Sequence, residues 1–237
     1  GNLPLDLQGF INEGGHDENG IPVLLRPVGN TPADGVSLTL EPAEFRLMPG
    51  ESVSVKVRAR VGGGFAGGAY PIILFQGKPA GKKHVRDVNT SSQVGVLTLI
   101  TVGPGRTRKP VYAAARIKSV ALSQDPVDKS VTVSAICENQ GNIHINLQGT
   151  AVIRYYHGEQ ASFTHLTPAV CLPGYKRVIT GYFNPSQLSK GIYVAEVLVK
   201  AEGSPLPVIP VAFQVADNGM INVIRTDPVH PMDIAHP

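Results

Sequence analysis

Apolar residues recur at every second position in several short runs of this chain. In "ESVSVKVRARV" (51–61), Val53, Val55 and Val57 alternate with Ser54, Lys56 and Arg58. "GVSLTLEP" (35–42) repeats the pattern with Val36, Leu38 and Leu40. A period of two sends alternate side chains to opposite faces, so both runs predict half-buried strands. "AYPIILFQG" (69–77) is a compact apolar run and reads as a more deeply buried strand. "QVGVLTLITV" (93–102) is long, β-branched and nearly continuous. In the second half, "KSVTVSAICEN" (129–139) sets Val131, Val133, Ala135 and Cys137 on one face. The segments 142–156, 176–183, 191–201 and 206–216 continue the series. No stretch of ten or more residues carries a helical stripe; "PSQLSKG" (185–191) has room for one turn. The pattern predicts an all-β chain.

Composition agrees. Of 237 residues, 42% are hydrophobic and 16% charged, enough apolar material for packed cores. The 26 glycines and 20 prolines fall between the apolar runs and punctuate them as turns. A net charge of +3 is too small to imply nucleic acid, and no zinc-finger, RNP-like or basic-helix pattern supports that partner. No run approaches the roughly 18 apolar residues of a membrane span. "GNLPLDLQGF" has neither a basic start nor an apolar h-region, so no signal peptide is expected there. The missing initiator Met predicts a processed or trimmed chain.

Three marks occur twice in the same order. The first half has Gly29-Asn30, Pro49-Gly50 and a Gly-x-Tyr ending at Tyr70. The second has Gly141-Asn142, Pro173-Gly174 and a Gly-x-Tyr ending at Tyr193. Pro-Gly suits the centre of a type II turn, where proline sets φ and glycine accepts a positive value. The repetition predicts one fold used twice, as two tandem β-sandwiches. "GPGRTRKP" (103–110) is the best linker, which sets the domains at 1–108 and 109–237.

Candidate chemistry is sparse. Cys137 and Cys171 are too few for a disulfide scaffold. They are either two buried free thiols or one disulfide within one domain, which would imply an oxidising compartment. His16 sits in "GGHDENG" without metal-ligand spacing, and His144, His157 and His165 show none either. "GGGFAGG" (62–68) lacks the lysine and helix of a phosphate loop. No nucleophile elbow is present, and Cys137 shares a strand face with valines. No enzymatic activity, metal or cofactor is expected.

The runs "LEPAEFRLMPGESVSVKVRARV…GGAYPIILF" and "VTVSAICENQGNIHINLQGTAVIRYYHGE…CLPGYKRVITGYF…LSKGIYVAEVLV" resemble the periplasmic pilus-assembly chaperones of the chaperone–usher type. They also resemble the tandem immunoglobulin-like WxL-interacting surface proteins of Gram-positive bacteria. The resemblance spans about 200 residues, through motifs such as "PGES" and "GN" that many bacterial sandwiches share. It implies two tandem immunoglobulin-like β-sandwich domains and a bacterial periplasmic or cell-surface location. It further implies that a strand near the end of the first domain adds to an extended segment of a pilus or surface subunit. The matching strand is 93–102, with Val94, Val96, Thr98, Ile100 and Val102 on one face. The partner-binding set it implies is Val94, Val96, Ile100 and Val102, with Arg106, Arg108 or Lys109 anchoring a terminal carboxylate. The family's second basic anchor lies on its first strand, where Arg26 is a candidate. Read from the residues alone, 93–102 is equally an ordinary core strand. The other function class is a structural or adhesive surface module that binds a cell-wall polymer or surface protein. The first class predicts an accessible 93–102 strand; the second predicts that strand fully paired and an exposed patch elsewhere.

Overall fold

A computed structural model describes residues 4–27, 35–80, 92–105 and 109–225, apart from the side chains of Arg26, Pro27 and Arg225. The chain is all-β, and the turn expected in "PSQLSKG" is a 3-10 turn, Pro185–Gln187, whose first free N–H is capped by Asn184. Two compact units form. Unit 1 comprises Gly1–Gly15 and Pro22–Val111, and unit 2 comprises His16–Ile21 and Tyr112–Pro237. The division thus falls just after the 108/109 boundary read from the linker, and a short segment near the start joins the second unit.

Unit 1 holds β1 (Leu5–His16), β2 (Pro22–Pro27), β3 (Val36–Glu41), β4 (Glu44–Leu47), β5 (Lys56–Val61), β6 (Gly67–Ala69), β7 (Pro71–Pro79), β8 (Ser92–Leu97) and β9 (Ile100–Val102). One sheet runs β2–β1–β7–β8, with β4 also paired to β1; β3 pairs with β5, and β6 with β9. The sequence reading missed β1. Phe10 sits among its polar positions, and Gly9, Gly14 and Gly15 thin the apolar set. Gly9 is there for close packing, since a Cβ would lie 2.7 Å from Leu40 Cδ1.

Unit 2 holds β10 (Ala115–Gln124), β11 (Val131–Asn139), β12 (Ile145–Tyr155), β13 (Gln160–Cys171), β14 (Lys176–Phe183), β15 (Gly191–Ala201), β16 (Ser204–Pro205), β17 (Ile209–Val215) and β18 (Ile221–Arg225). One sheet is β10–β11–β14 and the other β13–β12–β15–β17–β18, with β16 on β15. Strands β10, β11 and β14 thus face β12, β13, β15 and β17, which is an immunoglobulin-like sandwich order. β11 alternates as its sequence predicts, with Val131, Val133, Ala135 and Cys137 fully buried. They pack with Ile145, Leu147, Ile153, Val197 and Phe213 of the other sheet in one cluster. β10 and β13 escaped detection because bulges shift their registers, between Ile117 and Ser119 and opposite Leu147 to Gly149. A bulge breaks the period of two on which recognition depends.

The second Gly-x-Tyr mark has a structural cause. Tyr193 is fully buried near the start of β15, its ring against Phe213. Its hydroxyl donates to the Ser189 carbonyl at 2.8 Å, closing the corner that leads into the strand. This is the tyrosine corner of immunoglobulin-like domains. Tyr193→Phe keeps the ring and removes that bond, so urea unfolding is expected to show a loss of about 1 kcal/mol.

The stretch 137–149 is the crossing between the two sheets of unit 2. Asn139 is buried at the end of β11. Its Nδ2 donates to the carbonyls of Ile143 and Cys171, both at 2.8 Å, and its Oδ1 accepts from Gly141 N–H at 2.8 Å. Its backbone N–H donates to Tyr175 O at 3.0 Å and its carbonyl accepts from Gly174 N–H at 2.9 Å. One residue, through its side chain and backbone together, therefore ties the turn after β11 to the Pro173-Gly174 turn. Gly141 packs against backbone: a Cβ there would lie 2.5 Å from Tyr112 O.

His16 also belongs to unit 2 and is buried. Leu172 N–H donates to its Nε2 at 2.9 Å, so the ring proton sits on Nδ1, which donates to Asp17 O at 2.7 Å. Both nitrogens are thereby committed to the backbone.

Candidate partner-binding edge

β8 lies at the margin of the β2–β1–β7–β8 sheet, and among the described residues no strand pairs with its other side. Its inner side is fixed by antiparallel pairing with β7, in the register Phe75↔Val94, Leu74↔Gly95, Ile73↔Val96 and Ile72↔Leu97. Gly95 permits this approach, because a Cβ would meet Leu74 Cδ2 at 3.0 Å. Val94 and Val96 project from one face and are 65% and 55% exposed. Two large apolar side chains beside an unpaired strand edge form an adhesive surface.

The expected strand 93–102 is not continuous. β8 ends at Leu97, and Thr98 N–H donates to Pro71 O at 2.9 Å. The chain then leaves the sheet, and β9 pairs with β6 in the register Ala69↔Ile100 and Gly67↔Val102. Ile100 and Val102 are half-buried there, so they do not extend the row of Val94 and Val96. Neither Thr98 nor Leu99 breaks the apolar pattern, which is why the sequence gives no sign of the switch. Arg106 and Arg108 lie outside the described residues, as do the Arg26 side chain and Gly29-Asn30. Lys109 is exposed.

Cys137 and Cys171 are free thiols, both fully buried, so the bridge weighed from sequence is not formed. Cys171 Sγ donates to the carbonyl of Tyr175 at 3.3 Å instead. Burial, reinforced by the neighbouring Cys171, pushes the Cys137 thiol up to about 12. Burial also pushes Cys171 up to about 11, against the opposing effects of Asn139 N–H and Arg177. Neither is a nucleophile near neutral pH. The ordinary value is 9.0, so the unfolded chain releases these protons first. Their contribution to stability is constant below about pH 9 and is lost as pH rises from there towards 11 and 12. Urea midpoints at pH 8 and 10 are expected to fall further in the natural protein than in the Cys137→Ala/Cys171→Ala variant. Equal falls would assign the pH sensitivity to other groups.

Two further histidines are engaged locally: His165 Nδ1 lies 3.3 Å from Thr150 Oγ1, and His157 stacks on Tyr155. No helix among the described residues is long and apolar enough to cross a membrane.

The fold and the open edge define an all-β protein of two units with an immunoglobulin-like sandwich. No protein-family model matches the chain, and no curated protein does. Among solved structures it is similar to the class 5 fimbriae chaperone CfaA, at 9% identity and TM-score 0.38, over 97% of this chain and 89% of that one. It is also similar to a chain of a chaperone–tip adhesin complex of CFA/I fimbriae biogenesis, at 9% identity and TM-score 0.39, over 95% and 87%. The YadV chaperone overlaps at 10% identity and TM-score 0.33, over 94% and 85%.

Proposed function

We propose that this chain is a non-enzymatic, chaperone-like binding protein of the bacterial periplasm or cell surface. It engages an extended segment of a pilus or surface-structure subunit by β-strand addition along β8. The observation that carries the reading is the open edge of β8 with Val94 and Val96 exposed on it. The partner's backbone would supply hydrogen bonds, and the two valines would enter its apolar pockets. Ile100 and Val102 would hold the strand's exit through β6, and Arg106, Arg108 and Lys109 would attract a carboxylate, a contribution that weakens with salt. The sequence resemblance to pilus-assembly chaperones supports the same role.

A second reading is an adhesive surface module. It draws on the outer face of the β13–β12–β15 sheet, where exposed Phe163 and Leu198 flank a groove lined by Gln148, Thr150, His165 and Lys200. Photoreactive residues at Gln93 and, separately, at Thr150 separate the two in envelope extract. Crosslinking from Gln93 is expected. Capture from Thr150 alone would discard the β8 site in favour of the module.

A further inference from the structure

Within unit 2, β12 pairs with β13 on one side and with β15 on the other. Three rows of side chains cross the outer face of these strands. Phe163, Val152 and Glu196 stand side by side, then His165, Thr150 and Leu198, then Gln148 and Lys200. Glu196 is held by Arg154 at 2.8 Å. Between Leu147 and Gly149 the register shifts: β12 has Gln148 alone where β13 has Thr167 and Pro168. Such a bulge re-aims side chains, and bulges recur beside binding sites. The groove over Thr150, Gln148, Leu198 and Lys200 encloses about 560 Å³, a size suited to a small ligand. Pro168 lines this groove and also a second hollow of about 210 Å³, so the two meet there. Arg177, Thr180 and Asn19, all of unit 2, line the second hollow. Arg177 Nε is buried with no hydrogen-bond partner among the described residues, and its Nη1 donates to Glu18 O only at 3.3 Å. Gly20 lies against the guanidinium, since a Cβ there would sit 2.1 Å from Cζ. Among the described residues no carboxylate lines either hollow.

We propose that the two hollows form one site on unit 2 that binds an acidic oligosaccharide, a chain of sugars bearing carboxylates. This rests on the groove of the second reading, names the ligand that groove takes, and leaves β8 to its partner strand. A peptide that adds as a strand needs open backbone groups, and β12 is paired on both sides. A ligand on its outer face is therefore read by side chains. Sugar hydroxyls both donate and accept, and the Gln148 amide and Thr150 hydroxyl match them in both roles. The C–H faces of the sugar rings pack on Leu198 and on Phe163, both exposed on this face. The charge of the ligand follows from the lining. Lys200 stands in one hollow and Arg177 in the other, with no carboxylate to oppose them. A sugar carboxylate seated in the smaller hollow gives Arg177 Nε the acceptor it lacks, in a charge-assisted bond.

The test titrates the isotope-labelled protein with tetrasaccharides of galacturonate, glucuronate and mannuronate, with their methyl esters, and with tetraglutamate, and follows the backbone amide signals. At least one of the three acidic sugars is expected to bind with a Kd of about 1 mM or tighter, shifting the amides of Thr150 and Val178 together. The methyl esters keep the hydroxyls and lose the charge, so they should bind at least about ten-fold more weakly. Lys200→Gln and Arg177→Gln should each weaken binding by about ten-fold or more. Lys200 is exposed, so its variant keeps the fold and carries the test even if the Arg177 variant does not. Val94→Lys/Val96→Lys should bind the sugar as the natural chain does. No binding by any of the three acids, equal binding of the esters, shifts that spare Thr150 and Val178, or undiminished binding by Lys200→Gln overturns the proposal. Tetraglutamate as the sole ligand would make the groove a peptide site and overturns it too. Capture of an envelope protein from Thr150 with no sugar bound overturns this proposal and leaves the second reading standing; absence of both removes the two together.

Discussion

Replacing Val94 and Val96 together by lysine is expected to abolish capture of the partner and leave the fold intact. Both side chains stand clear of the core of unit 1, at 65% and 55% exposed, so the free protein loses little packing. Lysine on an edge strand is also what natural sheets use to blunt such edges. The stability cost is therefore limited to lost β-propensity, at most about 1 kcal/mol. In the complex the balance reverses. Each valine entering an apolar pocket contributes about 1.5 kcal/mol or more, and lysine adds the cost of burying a charge. The expected loss is at least about 100-fold in affinity. Binding is read by capture from envelope extract, and folding by circular dichroism and urea midpoint. Ile100→Ala sits on the separate β6–β9 pair and should weaken binding far less. A double variant that folds normally and captures the partner undiminished removes β8 as the site.

The largest stability effect is expected at Asn139. Alanine there deletes the three side-chain hydrogen bonds to Gly141, Ile143 and Cys171 at once. The backbone groups left behind are shielded from water, and each unsatisfied group costs about 1–3 kcal/mol. Partial relaxation of the turn recovers some of this, so a net loss of about 3 kcal/mol is expected, or roughly 10 °C in Tm. Asn139→Asp is the informative companion. It keeps the acceptor for Gly141 N–H but loses both donors and faces two carbonyls with a carboxylate, so it should be no better than alanine. The chain has no tryptophan, so unfolding is followed by circular dichroism or tyrosine fluorescence. A change within 1 kcal/mol for Asn139→Ala would mean that water takes over the three bonds.

How much the sequence revealed follows the regularity of each strand. β11 was legible because its buried positions keep a strict period of two. The Pro-Gly turns were legible because Gly50 and Gly174 both adopt positive φ, which their sequence context already demands. Tyr193 was legible as a mark, though not as a hydrogen-bonded corner, because the acceptor is a backbone carbonyl that no side-chain pattern announces. β1, β10 and β13 were hidden by glycines and bulges, which interrupt the alternation while preserving the pairing.

By itself, then, the sequence determined the all-β class, the Pro-Gly turns and the apolar character of 93–102, since these depend on local periodicity and turn chemistry. The tertiary structure decided the rest. Whether Val94 and Val96 face a core or solvent depends on how many strands flank β8, and strand neighbours are set by contacts far apart in sequence. The same non-local pairing split 93–102 between two partners, β7 and β6, although its residues alternate without a break. It buried His16 against Leu172, 156 residues away, and so turned a polar loop residue into a backbone acceptor. Periodicity fixes which side chains share a face, but only the packing of distant strands fixes what that face meets.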